Sequence, residues 1–383
     1  MIIRQFLQWI DTAPPAARAE ATGALARAFL HSPLSAEDRA AAEAALTWLL
    51  DDPAPEVRFA MADVFARRAD APRHLVLSLM HDRSEIAALV AGHSPLVPDS
   101  DLIDLAAAGD LAVQRAIAAR SDLSAPVAAA LAEVAPACVC AVLLDNETAR
   151  LLAFSLSRLA ERFATETDLR NRLLARPHLP LPVRHRLLTA LTEGLRARAV
   201  VLVGSDPDET ATYLEEAQER ATLVLCSQAG EDALPAFVEH LRASGQLTAR
   251  LLIRATGTGD LPLLTTSLAL LTGQDRRKVA LLLESGREAA LRALMTSAGL
   301  PARTHAVLVP ALIAYRTLEA DPREMAAPLL VRQVMDQVAR TLESDPEAAT
   351  AAGADLVQLV RLLALEAARS QARHFVESSR KAA

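Results

Sequence analysis

Apolar residues recur along the chain three and four positions apart, in short bursts separated by polar breaks. Ala42, Leu46, Leu49 and Leu50 form one such stripe, Val57, Met61, Val64 and Phe65 the next, and Leu264, Leu268 and Leu271 a later one. That spacing paints one face of an α-helix. The only strand candidate, the Val-Val-Leu-Val run at 200–203, has no partner run and reads as the end of a helix. Start signals support the helical reading. Ser35 precedes Glu37 and Asp38, which puts a capping hydroxyl and two acids where a helix N-terminus favours them. Ile3, Leu7 and Ile10 predict a short amphipathic helix over 2–10, and a second follows over 15–31; together they cap what comes after.

The polar breaks are themselves periodic. Ala91…Pro98, Ala119…Pro126 and Ala175…Pro182 each set an alanine seven residues before a proline, and the prolines are 28 and 56 residues apart. The best-matched copies read ARSDLSAPVAAAL (119–131) and ARPHLPLPVRHRL (175–187). The copy due near Phe154 lacks the proline. Beyond a break at 196–209, glycines take over the punctuation: Gly245, Gly259, Gly273, Gly286 and Gly299 stand 13 or 14 apart, each placed to end a helix. A fixed period in this range marks stacked helical hairpins. The expectation is an all-α protein, an α-solenoid with a period of about 27–28 residues. Its parts are capping helices over 1–34, a first array over 35–200, a second over 205–320, and longer helices over 321–383. Those last helices start at Asp321-Pro322-Arg323-Glu324 and Asp345-Pro346-Glu347. They carry Leu356, Leu359, Val360 and Leu363, and serve as a cap or a homodimer contact; residues 377–383 are expected to fray.

The stretch from Asp52 to Val57-Arg58 and the Ala-Arg-x-x-Leu-x-x-Pro-Val corners resemble HEAT-like repeats and the leucine-rich-repeat variant. Over about residues 35–320 the chain is similar to an uncharacterised, mainly alphaproteobacterial family known as a domain of unknown function. The resemblance implies a helical-repeat fold and carries no catalytic residue.

Composition narrows the function. The 383 residues are 52% apolar and only 3% aromatic, which suits helix over sheet. A net charge of −7 argues against nucleic acid, where phosphate neutralisation supplies much of the affinity. Three cysteines make no disulfide framework, and no apolar run approaches a membrane span, so a cytoplasmic location without membrane attachment is expected. His74 and His81, like His178 and His185, lie seven apart, about 10 Å on a helix and too far to share a metal. Cys138 and Cys140 sit in an apolar run and read as small hydrophobes. Gly257-Thr258-Gly259-Asp260 lacks the lysine and strand of a phosphate loop and reads as an inter-helix turn. Trp9 and Trp48 are assigned to core packing. No metal, cofactor or catalytic residue is expected.

Charge is the one uneven feature. Residues 150–198 hold ten arginines against four acids, and 199–247 nine acids against two arginines. Either adjacent repeats neutralise one another, or Arg158, Arg162, Arg170, Arg172, Arg176, Arg184 and Arg186 form a strip for an acidic partner. The function expected is a non-enzymatic scaffold or adaptor that holds a protein on a concave surface. The alternatives are a helical-repeat nucleic-acid binder or base glycosylase-like enzyme, and a self-associating signalling module.

Overall fold

The computed structural model describes residues 8–10, 12–203, 206–319, 327–343 and 351–382, and every regular element among them is helical. The expectations at Ile3, Leu7, Gly204, Ser205, 321–324 and 345–347 lie outside the described residues. The chain forms two compact units, Met1–Leu191 and Thr192–Ala383. The division falls inside the helix Leu181–Val203, which takes in the run at 200–203.

The first unit holds α1 (Pro15–His31), α2 (Ala36–Trp48), α3 (Pro55–Phe65), α4 (Arg73–Leu79), α5 (Ser84–His93), α6 (Asp99–Ala108), α7 (Leu111–Ala118), α8 (Ala125–Val134), α9 (Ala137–Asp145), α10 (Ala153–Phe163) and α11 (Thr167–Ala175), followed by the start of α12 (Leu181–Val203). Apart from α2 and α4, which pack on their immediate neighbours, the helices pack on the next but one. α1, α3, α5, α7, α9 and α11 make one row, and α6, α8 and α10 a second. Starts within the first row, at Pro55, Ser84, Leu111, Ala137 and Thr167, are 26 to 30 residues apart. This packing is consistent with a helical repeat or solenoid, and one core runs through it from Ile10 to Leu187.

The proline corners repeat in structure as well as in sequence. Asp122 and His178, at the same place in the two matched copies, both take a left-handed backbone, with φ of 53° and 56°. The leucines after them, Leu123 and Leu179, are buried. The arginine two residues before each reaches back one repeat. Arg120 donates to Ala91 O (2.8 Å) and Ser94 O (2.6 Å), and Arg176 to Leu144 O (2.9 Å). Asn146 does the same to Ala118 O and Arg120 O. The last carbonyls of a helix have no partner inside it, so these side chains satisfy orphaned acceptors and tie each repeat to the one before.

Asp52 and Arg58 act in the same way near the N-terminus. Arg18 makes a two-point contact with Asp52 (2.9 and 2.8 Å), Asp52 also accepts the Ala54 N–H, and Arg58 pairs with Asp82. Burial works against the charged form of both carboxyls, but the guanidinium and backbone N–H bonds outweigh it and hold them below the ordinary range. Such a contribution is fully present above the unfolded-state carboxylate pKa and disappears as pH falls through the lower folded-state value. The urea midpoint of the first unit is therefore expected to drop as pH falls below about 4, with a shallower drop in the Asp52→Asn/Asp82→Asn variant. Tryptophan fluorescence isolates this unit, because Trp9 and Trp48 are the chain's only two. Equal slopes for variant and parent would refute the assignment. The tryptophans correct one expectation: they are 44% and 54% exposed, outside the core. Trp48 closes α2 and is followed by a tight turn that buries Leu49 in its place.

The second unit contains α13 (Pro207–Gln228), α14 (Leu234–Ala243), α15 (Ala249–Thr258), α16 (Leu261–Thr272), α17 (Arg276–Ser285), α18 (Glu288–Ser297), α19 (Ala302–Glu319), α20 (Ala327–Glu343) and α21 (Ala351–Ala382). All five periodic glycines have φ between 61° and 82°, the region that ends a helix at low cost only for glycine. The packing departs from a nearest-neighbour stack. α15 touches α13, α16, α19, α20 and α21, so the C-terminal helices return to cover it. The reason is local: Leu251, Leu252, Ile253 and Ala255 bury every side of α15, and a helix apolar all round must be enclosed. Leu359, Val360 and Leu363 are spent on this enclosure and do not face outward. The chain end, expected to fray from 377, continues as helix to Ala382.

Candidate functional site

The arginine strip serves first to hold the first unit's helices together. Arg158 pairs with Glu133 (2.6 Å) and Glu161, Arg172 with Asp145 and Asp168, and Arg186 with Glu161 (3.0 Å). Arg162 donates to Ala132 O and Ala135 O, and Arg176 to Leu144 O. Arg170 is buried against Ala164 O and Thr167. Arg184 alone of the seven has neither an ion pair nor a side-chain hydrogen bond among the described residues. Most of these pairs span about one repeat, which makes them links between successive helices.

The remaining sequence candidates stay apart. His74 is exposed beside Thr47, His178 sits in its corner, and no group of three or more metal-ligating side chains occurs among the described residues. Cys138 is exposed. Burial pushes the Cys140 thiol up to about 11 and that of Cys226 to about 12, far from a reactive thiolate. At 257–260, Gly257 lies within α15, Gly259 ends it, and Asp260 caps α16 by accepting the Leu263 N–H. No helix among the described residues is long and apolar enough to cross a membrane.

A recess made of two cavities lies in the second unit. α13 and α21 run side by side over α15. Their N-terminal stretches line a cavity of about 800 Å³ with Thr212, Tyr213, Asp355 and Leu362 in its wall. Their C-terminal stretches line a second cavity of about 1050 Å³, bounded by Arg220, Leu223, Val224, Arg369 and Arg373. Tyr213, Glu216 and Leu362 line both, so the two adjoin and make up the channel between α13 and α21. From Thr212 to Ala229, at 1.5 Å per residue, the α13 wall is about 25 Å long.

Six charges fix the walls. Arg254 of α15, wholly buried, reaches Glu219 on α13 (3.0 Å) and Glu366 on α21 (3.3 Å). Arg250 joins Glu216 and Glu219, and Arg220 joins Glu216 and Glu366 more loosely. Three guanidiniums and three carboxylates balance, which is how buried charge is tolerated. What remains around the larger cavity is three arginines against Glu231 and Asp260. Arg276, Arg369 and Arg373 have no ion pair among the described residues, and burial pushes the Asp260 carboxyl up, away from its charged form.

Apart from Asp260, none of these groups was singled out by the sequence alone. The available signal was Arg254 itself, a cation inside the otherwise apolar LLIRAT (251–256), together with Glu216 and Glu219 three apart on α13. Gly257 sets how closely α21 approaches. A Cβ built there would lie 2.8 Å from Leu363 Cδ1 and 3.3 Å from its Cβ. Gly257→Val is expected to cost about 1–3 kcal/mol through overpacking and to raise amide exchange along α21. Exchange no faster than in the parent would show that the contact yields without strain.

Residues 86–346 match the model of a family described as an uncharacterised protein conserved in bacteria. The match begins in α5 and runs past α20, further toward the C-terminus and less far toward the N-terminus than the resemblance at 35–320 implied. It ends before α21, so one wall of the channel lies outside it. No curated protein and no solved structure matches the chain.

Proposed function

We propose that this chain, which belongs to the DUF2336 family of uncharacterised proteins conserved in bacteria, is a non-enzymatic scaffold or adaptor that holds a partner protein. The observation that supports this reading is the channel between α13 and α21: long, open, walled in part by leucine and valine, and edged by arginines that have no ion pair among the described residues. Its place differs from the one expected. The arginines at 158–186 are largely committed to neighbouring repeats, which leaves them little capacity for a partner, and equally little for the phosphates of a nucleic acid.

Leu152 and Phe154 support a contact surface in the first unit as well. They are 60% and 70% exposed at the start of α10, where the matched copies carry Ser124 and Pro126, or Pro180 and Pro182. Neighbouring repeats show that the fold asks for no large apolar group there.

Photo-crosslinking from position 224 in the native host tests the reading. The exposed Val224 is replaced by a benzophenone amino acid, with exposed Arg292, away from the channel, as the control position. A discrete protein adduct at 224 and none at 292 is expected. Turnover of a small molecule by the purified chain, with no protein adduct at 224, would overturn it.

A further inference from the structure

We propose that the α13–α21 channel binds an acidic amphipathic helix of its partner; the proposal rests on the adaptor reading and names the chemistry of what is held. Shape is the first argument. The channel is walled by two helices pointing the same way and closed beneath by α15, so it has the form of a missing neighbouring helix. A wall of about 25 Å accommodates some four to five helical turns. That matches the helix-in-groove mode, in which apolar residues at i, i+3, i+4 and i+7 of the guest enter a hydrophobic groove. Tyr213, Val224 and Leu365, at 70%, 53% and 48% exposure, offer the apolar contact.

Charge is the second argument. Arg242, Arg292 and Arg361 find acids on their own or a neighbouring helix, whereas Arg277, Arg287 and Arg303, like Arg276, Arg369 and Arg373, have no ion pair among the described residues. What sets Arg276, Arg369 and Arg373 apart is that they share one cavity. Arg369 and Arg373 stand four apart on α21, a like-charge spacing that weakens a helix slightly. The fold gains nothing from that arrangement, whereas carboxylates on a docked helix would pair with it. A second copy of α21 is a poor guest, because residues 351–382 carry four arginines and a lysine against Asp355, Glu366 and Glu377.

The test uses the full-length protein and labelled 18-residue peptides in fluorescence anisotropy. One peptide carries leucine at helical spacing with glutamate on its other face; a second has lysine for glutamate; a third is the first one scrambled. The glutamate peptide is expected to bind at least tenfold tighter than either control. Arg369→Glu/Arg373→Glu, both exposed sites, should weaken it at least tenfold and favour the lysine peptide instead. Val224→Glu should abolish binding with unchanged circular dichroism. Equal affinity for all three peptides, or affinity unaffected by Arg369→Glu/Arg373→Glu, would overturn the proposal. So would binding to phosphatidylglycerol vesicles in place of the peptide, which assigns the arginines to a lipid surface. A doubled mass by light scattering that reverts to monomer in Arg369→Glu/Arg373→Glu would assign the channel to a second copy. A protein adduct at 224 without glutamate-peptide binding leaves the adaptor reading standing and removes this one.

Discussion

Replacing Arg254 by alanine is expected to destabilise the second unit by about 3–5 kcal/mol, the range for breaking a buried ion pair from one side. The side chain is fully enclosed and, among the described residues, is the only cation that joins Glu219 to Glu366 directly. Its loss leaves two carboxylates facing each other across α15 with weaker support from Arg250 and Arg220. The walls of the channel should separate. Hydrogen exchange is expected to rise in α13 and α21 before it rises in α17 or α18. Neutralising what is left, in Arg254→Met/Glu366→Gln, should recover a large part of the stability, since an apolar replacement of a whole pair is often neutral or better. A loss under about 1 kcal/mol in the alanine variant would place the network among surface pairs and take away its structural role. The same variant bears on binding, because a channel whose walls have parted can no longer present Val224 and Arg369 to one ligand.

Phe65→Ala should cost the first unit about 3–5 kcal/mol, as large-to-small changes in a packed core do. Phe65 is fully buried at the end of α3 and meets Phe29 of α1 edge-on, with ring centroids 6.4 Å apart. The pattern of the damage matters more than its size. In a row where each helix touches mainly its neighbours, stability is a sum of local terms and interface terms. Helices α1 to α4 should therefore lose exchange protection while α8 to α11 keep theirs. Uniform loss across the unit would mean that its helices unfold as one cooperative block, and the row description would fail.

Helices, breaks and the two kinds of punctuation were legible along the chain because they depend on nearby residues. Ser35 caps α2 since its hydroxyl lies within reach of the Asp38 N–H. The five glycines end helices because a left-handed residue is a local requirement. The Ala-Arg corners recur with the same backbone because each copy solves the same problem of turning between two helices. Long-range choices were not legible. Nothing near Arg158 or Arg162 reveals that Glu133 or Ala132, one repeat earlier, is the partner. The exposure of Trp48 and Phe154 depends on which neighbours fail to cover them. The channel depends on α21 returning across more than a hundred residues to lie on α15, so that Glu366 meets Arg254. The sequence by itself determined that the chain is helical, where its helices stop, and how the first unit repeats, because hydrogen bonding and backbone stereochemistry act over a few residues. Only the tertiary structure decided which charges are spent inside and which remain outside, because burial and pairing are properties of segments that meet in space.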